Sequence, residues 1–328
     1  MALEKIVVLG TGGTIAGVAH DPRDSRQYRA AQLGVDALLG DVPRPPGFEV
    51  LGEQVAQVDS KDMDLAVWQA LLQRCRHWLA QPQVRGLVLT HGTDTLEETA
   101  YLLHAVLAPD KPVVLTCAMR PANAPDADGP ANLRDALAVA AWPGVHGVLA
   151  VCAGQVHGAA DVQKVHTSRL DAFGSGDAPL RAEVDAAGVR PLAGWTQEAR
   201  NWTAPMVDGL LSLPAWPRVE IVTSHALADG ALVDLLLDGN AARRLGLAPV
   251  RGLVVAGTGN GTIHHALQAA LRRAAASGVR VVRVSRCGAG AVTAGADDEF
   301  QALPGLSPAK ARIALMLSLL QSELAARP

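Results

Sequence analysis

The chain has 328 residues, 49% of them hydrophobic, enough for a substantial core and, at ordinary domain sizes, about two domains. Only 19% are charged and the net charge is −3, so no basic field is present to attract a nucleic-acid backbone or an anionic membrane surface. Those partners are excluded, and a small molecule is expected instead.

In chain order, MALEKIVVLG enters a strand directly, without a basic stretch, a long apolar run or a cleavage site, so a cytoplasmic location is expected. No later apolar run reaches the roughly 18 to 20 residues of a membrane span. The first strand runs into VVLGTGGTIAG, residues 7–17. A dinucleotide fingerprint places glycines at its first, third and sixth positions, which here hold Gly10, Gly12 and Ile15. The third glycine and a Walker lysine are both missing, so this turn reads as flexible backbone presenting threonine hydroxyls, Thr14 among them, at a strand's C-terminal end. Asp21 to Ala31 is polar and turn-rich, a candidate lid. Ser60 and Lys61, in QVDSKDMD, follow another strand and read alone as a turn and cap before a helix over 62–79. RGLVLTHG is a buried strand ending at His91 and Gly92, and Thr93 and Asp94 open a helix over 94–107. By itself this segment reads as helix capping, with Asp94 as N-cap and Glu97 and Glu98 at the positive end of the macrodipole. His91 reads as a hydrogen-bonded histidine near the sheet end.

KPVVLTC and HGVLAVC are further short, Val- and Leu-rich strands. The alternation of strand and helix predicts an α/β fold: a larger N-terminal domain, 1–190, with a mostly parallel sheet flanked by helices. Pro191, Pro205, Pro214 and Pro217 make 191–217 the expected linker. RVEIVTS, RGLVVAG and VRVVRVS, with helical spacing over 229–237, 262–276 and 308–324, predict a smaller C-terminal α/β domain, 218–328. Cys75, Cys117, Cys152 and Cys287 have no CxxC spacing and read as reduced core thiols. Neither HExxH nor a Cys/His cluster occurs, so no metal and no cofactor are expected.

Taken together, TGGTIAG, DSKDM, THGTDTLEETAYLL, VVLTCAMRP, ADGPANL, DVQKVHTS and GTGNGTI occur in this order along the chain. The ordered set closely resembles the bacterial L-asparaginases, and the resemblance covers nearly the whole chain. It implies hydrolysis of L-asparagine to L-aspartate and ammonia, with Thr14 as nucleophile supported by the lid tyrosine, Tyr28, and a second cluster of Thr93, Asp94 and Lys164. A threonine hydroxyl is a poor nucleophile until a base takes its proton. Lys164 accepts a proton only as a neutral amine, a state that desolvation favours and a nearby Asp94 would oppose. Which of Tyr28 and Lys164 serves which step stays open. The resemblance further implies an oxyanion donor in the Thr93 backbone N–H, an α-carboxylate site at Ser60, an α-ammonium site at Asp94, and a backbone carbonyl at Ala118 that orients the amide nitrogen. From the C-terminal domain it implies Asn260 near the ammonium and an acid, Asp297 or its rivals Asp298 and Glu299, reaching a neighbouring chain's site. A homotetramer built from dimers with shared active sites is the implied assembly. On charge alone, residues 297–299 read as a solvated turn.

Three positions depart from the family's pattern. Lys61 stands where many members carry a substrate-holding glutamine, and an outward-facing lysine is the favoured reading. Cys117 replaces a common glycine and reads as a buried small hydrophobe. Ala160 replaces a common arginine beside Asp161. The competing functions are a mixed glutaminase-asparaginase, since one methylene changes binding by only about 1 to 3 kcal/mol, an amidotransferase subunit of the same fold, a non-catalytic amino-acid binding protein, and a dinucleotide-dependent dehydrogenase, which Ile15 disfavours.

Overall fold

Ile6 to Leu9 are fully buried, because the strand they form lies inside a sheet covered on both faces, where alternation of polar and apolar residues has no use. The structure is a computed structural model describing residues 3–24, 27–40, 42–195, 200–293, 295 and 298–325. It divides into two units, Met1–Trp202 and Thr203–Pro328.

The first unit begins with β1 (Glu4–Gly12), a hairpin of β2 (Val18–Ala19) and β3 (Tyr28–Arg29), α1 (Val35–Leu39) and β4 (Phe48–Val58). Next come α2 (Leu65–Leu79), β5 (Val84–Thr90), α3 (Leu96–Leu107), β6 (Pro112–Thr116), α4 (Gly129–Ala141) and β7 (Gly147–Cys152). It closes with β8 (Gln155–Gly158), β9 (Gln163–Lys164), β10 (Phe173–Gly174), β11 (Ala182–Asp185) and β12 (Gly188–Pro191). The main sheet has the order β12-β11-β8-β7-β6-β5-β1-β4. β4, β1, β5, β6 and β7 are parallel, and β8, β11 and β12 extend the sheet antiparallel. β4, at the edge, alternates in burial, whereas the inner strands do not.

This order positions the site. From β1 the chain crosses to β4 on one side, then returns to β5 on the other, so the crossover connections diverge between β1 and β5. A crevice opens at the carboxyl ends of two such strands, where open α/β sheets bind ligands. The turn after β1 carries Thr14, and the turn after β5 carries Thr93.

The second unit comprises α5 (Ala204–Ser212), β13 (Arg218–Thr223), α6 (Ala231–Leu237), α7 (Gly239–Arg244), β14 (Val250–Gly257), α8 (His265–Ala276), β15 (Arg280–Ser285), β16 (Gln301–Ala302) and α9 (Pro308–Ala325). Its sheet, β13-β14-β15-β16, is wholly parallel. The stretch read from its prolines as a linker therefore holds a helix, α5, which packs against α9. Pro205 falls in the first turn of α5, where its missing N–H breaks no intrahelical bond, and Thr203 caps that turn by accepting from the Met206 N–H.

Candidate active site

The turn after β1 is held open by its glycines. Gly13 has φ +80°, and a Cβ there would lie 2.3 Å from the Gly92 Cα, so only glycine fits. The turns that follow β1 and β5 thus meet backbone to backbone. A Cβ on Gly92 would in turn stand 2.4 Å from Ser60 Oγ, which brings a third segment into the contact.

Thr14 follows in a short 3₁₀ turn, Thr14–Ala16, and is 7% exposed. Its Oγ lies 2.7 Å from the Tyr28 hydroxyl, the two forming one hydrogen bond. Tyr28 is delivered by β3, which pairs antiparallel with β2 and sets Tyr28 opposite Ala19. The candidate lid is therefore a hairpin docked over the first turn. Asn123 fastens it: the Ala19 N–H donates to Asn123 Oδ1 at 2.8 Å, and Asn123 Nδ2 donates to the Ala19 carbonyl at 2.9 Å. A cavity of about 690 Å³ opens against the hairpin, with His20 and Tyr28 in its wall.

A second cluster gathers at the end of β5. Lys164 Nζ donates to Thr93 Oγ at 2.8 Å and to the Asp94 carboxylate at 2.7 Å. Lys164 arrives on β9, which pairs with β10, and its side chain is 22% exposed against 50% for Asp94. The capping reading of Asp94 is overturned: α3 starts at Leu96 with Thr95 at its N-cap position, and neither residue caps it. Asp94 is spent on Lys164, and Thr95 Oγ donates to the Ser60 carbonyl at 2.8 Å. Ser60, 2% exposed, accepts from the Asp94 N–H at 3.2 Å and keeps its own O–H to give. Its neighbour Lys61 turns outward, 59% exposed, to Asp62 and to Asp59 at 3.4 Å. The hydrogen bond to Asp62 holds the Lys61 ammonium above its usual range.

His91 is fully buried. Burial pushes its imidazole down to about 4, with a hydrogen bond at the Gly92 carbonyl opposing, so it is neutral at working pH. Ala118 packs beside Ile15, the residue after Thr14. Cys117 is buried with its Sγ 2.8 Å from Cys152 Sγ, and burial raises its thiol well above the usual range. Cys75 is buried as well, whereas Cys287 is exposed, so the core reading does not extend to it. Near the missing arginine at Ala160, Arg181 supplies the cation: it pairs with Asp161 at 2.8 Å, bracing the turn that leads to Lys164. Arg181 lies 20 residues from its partner in sequence, and nothing local marks it.

The residues expected from the C-terminal domain lie in the second unit. Asn260 Oδ1 accepts from the Thr293 N–H at 2.7 Å. Asp298 pairs with Arg283 and also accepts from the Gly295 N–H at 2.6 Å. Glu299 pairs with Arg272 at 2.6 Å and accepts from Gln268 at 2.8 Å. Asp297 lies outside the described residues. Among the described residues no three His, Cys, Asp or Glu side chains are grouped to hold a metal, and no helix is long and apolar enough to cross a membrane.

Comparison with known proteins decides the family. Residues 5–195 match the model "Asparaginase, N-terminal", and residues 218–326 match "Glutaminase/Asparaginase C-terminal domain". The chain belongs to the asparaginase family. This asparaginase-family chain is 35% identical over 323 residues to L-asparaginase 2 of Bacillus subtilis, covering 97% of this chain and 83% of that one. It is 36% identical over 333 residues to a probable periplasmic L-asparaginase of Haemophilus influenzae, covering 98% and 90%. Among solved structures it superposes on a probable cytoplasmic L-asparaginase from Campylobacter jejuni with a TM-score of 0.85 at 32% identity, covering 99% of this chain and all of that one. The protein is thus an enzyme of the L-asparaginase class, a hydrolase acting on a small molecule.

Proposed function

We propose that the enzyme hydrolyses L-asparagine through an acyl-enzyme on Thr14. The observation that carries this reading is the 2.7 Å hydrogen bond between the buried Thr14 hydroxyl and Tyr28, next to the Thr93–Lys164–Asp94 cluster. Thr14 Oγ attacks the side-chain amide carbon while its proton passes to the Tyr28 oxygen, the group in contact with it, and Tyr28 gives up its own hydroxyl proton toward the leaving amide nitrogen. The tetrahedral oxyanion takes the Thr93 backbone N–H. Collapse expels the amide nitrogen, which leaves as ammonia after gaining a proton, and water then cleaves the Thr14 ester to give aspartate. The free Ser60 O–H meets the α-carboxylate. The incoming α-ammonium competes with Lys164 for Asp94, which frees Lys164 to work on Thr93 and the attacking water. Lys61 faces away and takes no part.

We further propose that the active site is shared between chains of a homotetramer, with Asn260 and Asp297 contributed by a neighbour. Asp298 and Glu299 already have arginine partners, which favours Asp297 among the three. The second unit leaves Leu227, Leu232, Leu235, Leu245 and Leu247 exposed, apolar surface suited to burial against another subunit. A cytoplasmic location is proposed on the likeness to the Campylobacter protein. The Haemophilus relative, named periplasmic, is the counter-case, and cell fractionation decides between them.

The test is ammonia release from asparagine and glutamine side by side, with and without EDTA. Asparagine turnover unaffected by chelation is expected, and Thr14→Ala should fold yet lose at least about a thousandfold in kcat. Substantial turnover by pure, folded Thr14→Ala protein would remove Thr14 as nucleophile. Comparable kcat/KM for glutamine makes the enzyme a mixed glutaminase-asparaginase, a breadth that the name of its C-terminal family domain allows.

A further inference from the structure

Asp128 stands at the N-cap position of α4, where an aspartate ordinarily accepts from the helix's own first N–H groups, but it makes no such bond. Its carboxylate points back to the turn after β6. Met119 N–H donates to Oδ2 at 2.9 Å and to Oδ1 at 3.1 Å, and Arg120 N–H donates to Oδ1 at 2.9 Å. Asn132, 2% exposed and one helical turn further on, donates to the Asp128 Oδ2 at 3.2 Å and to the Cys117 carbonyl at 2.9 Å, and accepts from the Ala153 N–H at 2.9 Å. The Cys117 carbonyl and the Met119 and Arg120 N–H groups that flank Ala118 are therefore tied down. Among the described residues the Ala118 carbonyl accepts no hydrogen bond.

We infer that Asp128 is a positioning residue that aims and polarises the Ala118 carbonyl toward the substrate's leaving nitrogen. The Ala118 C=O and the Met119 N–H belong to one planar peptide, and in a trans peptide they point in opposite directions. Fixing the N–H on a carboxylate therefore fixes the carbonyl on the face turned away from Asp128, in a residue whose side chain packs with Ile15 of the turn after β1. A negative acceptor on the N–H also draws electron density along the peptide onto the carbonyl oxygen, making it a stronger acceptor. A leaving NH₂ group must donate an N–H to such an oxygen, and its nitrogen lone pair is then directed toward incoming protons. The effect is specific to nitrogen leaving groups. The inference rests on the asparaginase reading and deepens it.

The test compares two substrates sharing the same α-ammonium and α-carboxylate: L-asparagine, which loses ammonia, and L-aspartate β-methyl ester, which loses methanol and has no N–H to give. Asp128→Asn keeps the volume but offers one oxygen to three N–H donors. It should lower kcat on asparagine by about 10- to 100-fold, with KM nearly unchanged, and lower kcat on the ester by no more than about threefold. Equal losses on both substrates, or no loss on asparagine, would overturn the assignment. If Asp128→Asn does not fold, as judged by circular dichroism and melting, Asp128→Ser carries the same comparison. Wild-type enzyme that releases no ammonia from asparagine removes the parent reading and this one with it, whereas active wild type with equal losses removes only the role of Asp128.

Discussion

Lys164 donates at once to Thr93 and Asp94, and groups joined in this way fail together. Thr93→Ala and Lys164→Ala should each cost a large share of kcat/KM, and the double variant should cost little more than the worse single one. Additive losses would show that they act separately. His91 carries a different prediction. Its imidazole is held at about 4 when folded, against about 6.5 in an unfolded chain. A depressed folded value means that stability is fully present above pH 6.5 and is lost as pH falls toward 4, by about 3 kcal/mol. His91→Gln does not titrate there and should flatten the fall in Tm between pH 6.5 and 4. An unchanged slope would assign the acid sensitivity to other groups. At this scale the missing third glycine removed the cofactor reading of the turn after β1 and left its threonine hydroxyls, and the resemblance singled out Thr14 among them. Asp94 taken alone looked like a cap, and only the resemblance set it beside Lys164, whereas nothing local marked Asp128, whose carboxylate the fold turns back to the turn after β6.

The turns after β1 and β5 touch through Gly13 and Gly92, a contact without room for a single methyl group. Gly13→Ala combines a left-handed backbone with a backbone clash and should cost about 3 kcal/mol or more of stability, together with most of the activity. Near-native melting of that variant would mean that the two turns part easily. Among the elements, the buried parallel strands announced themselves by unbroken apolar runs. β8, β11 and β12 did not, because strands such as Gln155–Gly158 are short and mixed in character and draw their pairing from neighbours distant in sequence. α5 was hidden for another reason: Pro205 was weighed as a breaker along with the prolines around it, although a helix tolerates proline in its first turn.

For the molecule as a whole, a shared site makes a prediction no single chain can meet. Thr14→Ala and Asp297→Ala chains, each nearly inactive alone, should regain activity when unfolded together and reassembled, because one site of each mixed dimer then draws an intact Thr14 and an intact Asp297 from opposite chains. Mixed oligomers that form, as shown by tagged copurification, but stay inactive would rule out Asp297 as the shared acid. The meeting of Gly13 and Gly92 also bears on how such an enzyme can change over time. Two surfaces that admit only hydrogen atoms give selection nothing to vary, and a lineage adapting to a longer or bulkier amide has no accessible step at either position. Variation has to enter through the hairpin of Val18–Ala19 and Tyr28–Arg29, where Tyr28 is 37% exposed. A randomised library should therefore recover glycine alone at 13 and 92 while new substrate preferences accumulate in the hairpin.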